Sequence, residues 1–347
     1  MVKRYGNLWQ NVITKENIRL SYEQAKVGKG KKHNVRKFNK NLDANLERIR
    51  QSLIDKTFTT AKYNTKTVFE PKRRTIYILP FDPDRIVQHA VMNILIPIWD
   101  KMFIEESYAC RDGKGMHKGS LKTMEYVRGN KYCLKCDISK FYPSINHAIL
   151  KEIIQRKIKD PDILWLLDDI IDSYPGGTNT PIGNFTSQWF GNLYLNELDT
   201  FVKQKLGIKC YLRYCDDFCL FHNDKKVLNA AADEIRRFVG ERLQLRLSKC
   251  DLFPVSRGVD FLGYRHFPEY ILLRKSTAKR AKKRIKKAVA RLHRNKITSE
   301  QFRSIVASYD GWMKWARTYN LRFRLELDKL KEASKNARTA KQILARL

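Results

Sequence analysis

Two adjacent carboxylates, Asp216 and Asp217, interrupt the run Tyr211-Leu212-Arg213-Tyr214-Cys215-Asp216-Asp217-Phe218-Cys219-Leu220-Phe221. Aromatic-rich flanks on both sides of a polar pair read as two strands joined by a tight turn, with the pair at the tip. Like charges side by side repel. A bound divalent cation would remove that cost and take hard oxygen ligands from them. An Asp-Asp pair is equally at home in a solvated turn, so this stretch alone leaves both readings open.

A third carboxylate shifts the balance. Tyr132-Cys133-Leu134-Lys135-Cys136-Asp137-Ile138-Ser139-Lys140-Phe141-Tyr142 is another short apolar run reaching an Asp, turning at Ser139 and entering a helix after Pro143. Two strands that each end in Asp can meet in one antiparallel sheet, bringing three carboxylates to one or two metals. In nucleotidyl transfer, paired metals ~3.5–4 Å apart stabilise the attacking and leaving oxygens. Mg²⁺ suits such a site, taking a few carboxylates, waters and substrate phosphates.

Tyr214-Cys215-Asp216-Asp217 resembles the Tyr-x-Asp-Asp box of reverse transcriptases, and Asp137 to Tyr142 resembles their first catalytic block. The resemblance implies Asp137, Asp216 and Asp217 as an acidic triad and the Ile138 carbonyl as a further ligand for two Mg²⁺ ions. Between the blocks, Pro181-Ile182-Gly183-Asn184-Phe185-Thr186-Ser187-Gln188-Trp189-Phe190 resembles the nucleotide-pocket block. Most reverse transcriptases read Gln-Gly there and end in Ser-Pro; this chain has Ile182-Gly183 and Ser187-Gln188. That departure resembles the reverse transcriptases of diversity-generating retroelements, in the group II intron-like lineage. The matched blocks run from about Lys72 into the C-terminal helices.

Further roles follow from the resemblance. Val68 to Pro80 looks like a β-hairpin whose cations Lys72 and Arg74 would hold a triphosphate. Asp84-Arg85-Ile86-Val87-Gln88-His89 opens a helix, with Asp84 a candidate cap and His89 a packing residue. Arg111, in the Gly-rich loop Ser107 to His117, would contact template or nucleotide. Tyr142 would lie beneath the sugar and exclude a 2′-hydroxyl. Ile182, Gly183 and Gln188 would line the nucleotide pocket, and Lys249 would protonate the departing pyrophosphate. Tyr214, Leu262 and Gly263 would meet the primer, the last two in the hairpin Val259 to Arg265. Ile182 carries a consequence of its own, because its side chain cannot hydrogen-bond. Loss of a positioning contact weakens discrimination between nucleotides. The expected enzyme is error-prone, with adenine-directed errors implied by the subfamily resemblance alone.

The elements that position these residues are legible in outline. The 347 residues carry 69 Lys+Arg against 36 Asp+Glu, a net charge of +33, which points to a polyanion. At 43% hydrophobic the chain can bury a core. No apolar run approaches the ~20 residues of a membrane span. The basic start Met1 to Asn7 has no apolar signal core after it, so a cytoplasmic location is expected. Seven cysteines without framework spacing suit a reducing compartment. Cys133 and Cys136 have zinc-like spacing, but on a strand they face opposite sides.

Phe38, Leu42, Leu46, Ile49 and Leu53 fall at helical spacing. The loop Gly28 to Lys32 is either a solvated surface or a phosphate contact. Val227 to Leu243 reads as an amphipathic helix and Leu245 to Lys249 as a strand. From Lys275 to Arg294 there are ten Lys/Arg and no acid, yet Ala281, Ile285, Ala288, Val289 and Leu292 keep a buried stripe. Such a helix repels itself without a polyanion nearby. Lys279, Lys283 and Lys287 on it would track a template–primer duplex through its phosphates.

The fold expected is an α+β right-hand polymerase: N-terminal basic helices and fingers over 1–130, a palm over 131–270 with an antiparallel sheet backed by helices and the block 181–190 inserted, and a basic helical thumb over 271–347. The expected reaction is RNA-directed DNA polymerisation, making mutagenised cDNA from a template-repeat RNA with dNTPs. A small basic accessory protein, often pentameric in the subfamily, is the expected partner. The alternatives are an antiphage-defence or group II intron-like reverse transcriptase, and an RNA-binding scaffold with an idle site.

Overall fold

A computed structural model describes residues 3–69 and 73–335. In chain order the N-terminal region holds helices α1 (Trp9–Val12), α2 (Lys15–Lys26), α3 (His33–Asn39) and α4 (Leu42–Ile54), then the hairpin β1 (Asn64–Val68) and β2 (Arg74–Ile78). Helices α5 (Ile86–Asp100) and α6 (Met116–Gly129) lead to β3 (Tyr132–Ile138). Next come α7 (Phe141–Ser144), α8 (His147–Gln155), α9 (Pro161–Asp172) and α10 (Phe185–Thr200). Strands β4 (Cys210–Tyr214) and β5 (Asp217–His222), helix α11 (Lys225–Glu241) and strand β6 (Leu247–Pro254) follow. The C-terminal part has strands β7 (Val259–Phe261), β8 (Tyr264–His266) and β9 (Ile271–Leu273). Helices α12 (Lys275–His293), α13 (Ser299–Met313), α14 (Tyr319–Arg324) and α15 (Leu327–Lys335) complete it.

The chain divides into two compact units, with boundaries in the loop before α6 and within β3, β5, α11 and β6. One comprises 1–113, 135–219 and 229–251; the other comprises 114–134, 220–228 and 252–347. Helix α6 and strands β7–β9 thus group with the C-terminal helices.

In the first unit α2 packs on α5. Thr14 caps α2 by accepting from the Asn17 N–H, and Ile18, Tyr22 and Ala25 bury one face. Phe38, Leu46, Ile49 and Leu53 of the apolar stripe are buried and Leu42 is half-buried, but the helix expected there breaks at Lys40-Asn41 into α3 and α4. Asp84 is not a helix cap. It is buried and accepts from the Ala61 N–H at 2.8 Å, tying down the segment before β1, while α5 begins at Ile86. Asp160 does cap α9. One carboxylate oxygen accepts from the N–H groups of Asp162 and Ile163, and the other from those of Leu8 and Trp9.

The central sheet has the order β4-β5-β3-β6. Strand β5, flanked on both sides, is buried from Phe218 to Phe221. On β3, Leu134, Cys136 and Ile138 are buried, while Lys135 and Asp137 share the more open face. Strand β6 starts at Leu247, two residues later than the sequence pattern suggests. Cys133 and Cys136 are buried free thiols, and Cys136 Sγ lies 3.3 Å from Cys250 Sγ.

In the second unit the stripe Ala281, Ile285, Ala288 and Leu292 of α12 packs with Phe302, Val306 and Met313 of α13 and with Leu327 and Leu330 of α15. Thr298 and Gln301 form a reciprocal capping box at the start of α13. Strands β7, β8 and β9 form an antiparallel sheet, with His266 of β8 hydrogen-bonded to Ser120 of α6 at 2.7 Å.

Candidate active site

The turn that carries the paired carboxylates is built on a buried ion pair. Strands β4 and β5 are joined through Cys215 and Asp216, with Cys215 in the left-handed region at φ +53°. Two residues before it, Arg213 of β4 is at 0% exposure, as is its partner Asp199 of α10. The guanidinium grips both carboxylate oxygens, Nε to Oδ1 at 2.7 Å and Nη2 to Oδ2 at 2.6 Å. Tyr211 donates its hydroxyl to the same Oδ1 at 2.6 Å. The remaining guanidinium donors reach the Cys215 carbonyl (3.1 Å), Asn192 Oδ1 (3.2 Å) and Ser107 Oγ (3.2 Å). A fork with every donor used is the arrangement in which a buried guanidinium holds geometry rather than merely offsetting charge.

The end of β3 meets that turn. The Ile138 N–H donates to the Asp216 carbonyl at 3.2 Å, so Asp137 lies beside Asp216 and Asp217. Asp217 registers the crowding. Burial pushes its carboxyl up to about 6, the Lys135 ammonium opposes this, and the charges of Asp137 and Asp216 add to it. Lys135 Nζ stands 3.3 Å from Asp217 Oδ2, and Ser248 Oγ donates to Asp137 Oδ2 at 2.6 Å. Asp217 Oδ1 is buried with no hydrogen-bond partner among the described residues. Among those residues no three His, Cys, Asp or Glu side chains are arranged as a ready metal cage. Ser248 and Lys135 instead hold one oxygen each of Asp137 and Asp217. Adjacent hard carboxylates and an orphaned buried acceptor are the donor set a divalent cation takes, so the residues fit one.

The block from Pro181 packs under the hairpin. Ile182, half-buried, accepts from the Tyr77 N–H of β2 through its carbonyl at 2.8 Å. At Gly183 φ is +129°, and a Cβ would stand 2.2 Å from the Tyr77 carbonyl oxygen, so this position admits glycine alone. Gln88 accepts from the Phe185 N–H (3.1 Å) at the start of α10, and Gln188, one turn on, is exposed. Tyr142 lies with its ring against Gly191 of α10, and burial raises its phenol above the ordinary range, reinforced by nearby Cys215 and Asp216. Tyr214, half-buried, ends β4, and its phenol is likewise raised by burial.

Other residues singled out in the sequence lie elsewhere or do other work. Arg111 corrects the expectation of a template contact. Its side chain is 6% exposed, and its donors go to Asp100 Oδ1 (2.6 Å), the Ile104 carbonyl (2.7 Å), the Ser107 carbonyl (3.1 Å) and the Asp100 carbonyl (3.2 Å). It braces the loop after α5. Lys72 lies outside the described residues; Arg74 is exposed at the start of β2, opposite Val68. Lys249 is exposed on β6.

In the second unit, Leu262 and Gly263 form the β7–β8 turn at φ +54° and +83°. A Cβ on Gly263 would stand 2.5 Å from the Trp312 ring, so the bare backbone makes room for α13. Lys279, Lys283 and Lys287 are exposed along α12.

Arg213, Asp199, Ser248 and Lys135 went unnoticed in the sequence. An arginine inside an apolar strand was the available signal for the first, since a buried cation demands a buried partner.

A family model described as reverse transcriptase (RNA-dependent DNA polymerase) matches residues 62–266. The chain is 26% identical over 235 residues to Protein YkfC of Escherichia coli, covering 54% of this chain and 61% of that protein. It is 29% identical over 201 residues to the group II intron-encoded protein LtrA of Lactococcus lactis, covering 52% of this chain and 32% of that protein. It is 26% identical over 202 residues to the retron Ec73 reverse transcriptase of Escherichia coli, covering 53% and 61%. The chain thus spans less than two thirds of these relatives. Among solved structures, an apo telomerase from Candida tropicalis gives a TM-score of 0.48 at 13% identity, covering 67% of this chain and 60% of that one.

Proposed function

The chain belongs to the reverse transcriptase family, and from that premise we propose that it is an RNA-directed DNA polymerase adding deoxynucleoside monophosphates to a primer 3′-hydroxyl. The observation that carries this reading is the bond from Ile138 N–H to the Asp216 carbonyl at 3.2 Å, which sets Asp137 beside the Asp216-Asp217 turn. In this reading Asp137, Asp216, Asp217 and the Ile138 carbonyl hold two Mg²⁺ ions, whose chemistry when bound is to activate the attacking hydroxyl and neutralise the phosphates. Arg213 holds the Cys215 carbonyl and with it the turn. Tyr142 would stand under the sugar, Ile182, Gly183 and Gln188 would line the nucleotide pocket, and Arg74 would approach the triphosphate. Lys249 is the candidate proton donor to pyrophosphate, Tyr214 faces the primer, and Lys279, Lys283 and Lys287 contact duplex phosphates.

The finer reading is a diversity-generating enzyme that copies a template-repeat RNA with errors, with a small basic accessory protein as partner. Ile182-Gly183 and Ser187-Gln188 support it. A group II intron-like or retron-like role is the second reading, favoured by the relatives LtrA and the retron enzyme. Extension of a primed RNA by labelled dNTPs, dependent on Mg²⁺, tests the activity; binding without extension would leave a scaffold. Sequencing the cDNA then tests the finer reading. Ile182→Gln is expected to lower the error rate several-fold, and an unchanged rate removes Ile182 as the cause.

A further inference from the structure

The second unit exposes aromatic rings that its own core does not use. Tyr319 and Phe323 are 78% and 76% exposed, one helical turn apart on α14. Large apolar rings left so open need a reason other than packing. Beside them is a cavity of about 850 Å³ between β9 and the start of α14, lined by Tyr270, Leu272, Arg317, Tyr319 and Arg324 among others and by no acid. Its floor is pinned: the Arg317 N–H donates to the Ile271 carbonyl at 2.7 Å, and Thr318 Oγ to the Met313 carbonyl at 2.8 Å.

We propose that this groove binds single-stranded RNA, with bases stacked on Tyr319 and Phe323 and phosphates at Arg317 and Arg324. Exposed rings interleaved with cations form the platform that grips unpaired nucleotides, because every base offers a face to stack and every linkage a charge. A duplex keeps its bases stacked on each other and could use the arginines alone. A second copy of a chain of net charge +33 would bring like charge to the arginines. Residues 336–347, which contain Arg338, Lys341 and Arg346 and no acid, complement it no better. The choice of RNA over DNA rests on the copying of RNA proposed above; the stacking does not.

The test measures binding of the full chain to a fluorescent single-stranded RNA of about 20 nucleotides, to the same sequence as DNA, and to an RNA–DNA hybrid, across a salt series. Tyr319→Ala and Phe323→Ala are each expected to weaken single-strand binding about tenfold, with hybrid binding changed much less, and Tyr319→Trp is expected to restore it. Arg317→Gln and Arg324→Gln should each lower the salt slope by about 0.7, the single-strand increment per phosphate. Equal binding by the alanine variants and the parent, or equal loss on hybrid and single strand, overturns the proposal. So does a parent dimer that Tyr319→Ala dissociates. A preference for DNA overturns the choice of RNA. Primer extension by the unaltered chain is scored separately, so a failure of the polymerase reading is distinct from a failure of this site.

Discussion

The first unit buries its decisive cation against a partner, whereas the second leaves the cations of α12 in solvent. Arg213 has Asp199, Asn192, Ser107 and the Cys215 carbonyl around it, all at fixed distances. Lys279, Lys283 and Lys287 stand exposed above an apolar stripe. A buried, fully bonded charge is intolerant of change and sets a geometry to a fraction of an ångström. Exposed charges are interchangeable and sum to a field that salt screens. The difference separates positioning from holding: in the proposed reading one region would orient reacting groups, and the other would retain a long polyanion.

The sharpest way to break the contrast is at the carboxylates. Asp217→Asn is expected to lower primer extension on the order of a thousandfold or more, by loss of an electrostatic centre for the reacting phosphate. The same change should stabilise the metal-free protein at neutral pH. The unfolded carboxyl titrates near its ordinary value of 3.8 and the folded one at about 6, so between these values the folded state holds more protons. Stability conferred by the protonated form is therefore lost as pH rises from about 4 to about 6. Melting curves without metal should show that fall in the parent and not in Asp217→Asn. A variant that is both inactive and less stable would sink this assignment.

Arg213→Met comes next. It strands Asp199 in the interior and is expected to cost about 3–5 kcal/mol in denaturant unfolding. Pairing it with Asp199→Leu should recover much of that stability while extension stays low, because the Cys215 carbonyl has still lost its donor. Recovery of both would reduce the pair to a packing element.

Gly183→Ala tests the hairpin contact. With φ at +129° and the Tyr77 oxygen 2.2 Å from the new Cβ, the change is expected to destabilise by roughly 1–3 kcal/mol and to raise KM for dNTPs. A neutral result would mean that β2 does not lie over this position in solution.

The smallest effects belong to α12. Lys279→Gln, Lys283→Gln and Lys287→Gln should each weaken duplex binding a few-fold and lower the salt slope by about one, roughly additively. A single substitution that abolished binding would erase the contrast between the two regions.

The hairpin at Arg74, the carboxylate turn and the basic helix were each readable because their signals are local. Alternation places residues on one strand face, and a stripe at helical spacing places a buried edge. Arg111 and Gly263 are ambiguous in the sequence for the opposite reason. A cation in a Gly-rich loop and a glycine in a turn look alike whether they face a ligand or the protein. Asp100 and Trp312, the groups they meet in the fold, could not be named from the sequence.

Residue order alone therefore determined which acids could act together, the excess of positive charge and most of the run of helices and strands, since charge and periodicity are properties of the chain. Folding decided that Ser248 and Lys135 would hold the acids, that Asp199 would anchor Arg213 and that Tyr77 would close over Gly183. Those outcomes depend on which distant groups the fold brings together and, for Arg213 and Asp199, on a low-dielectric interior where a buried donor needs an acceptor.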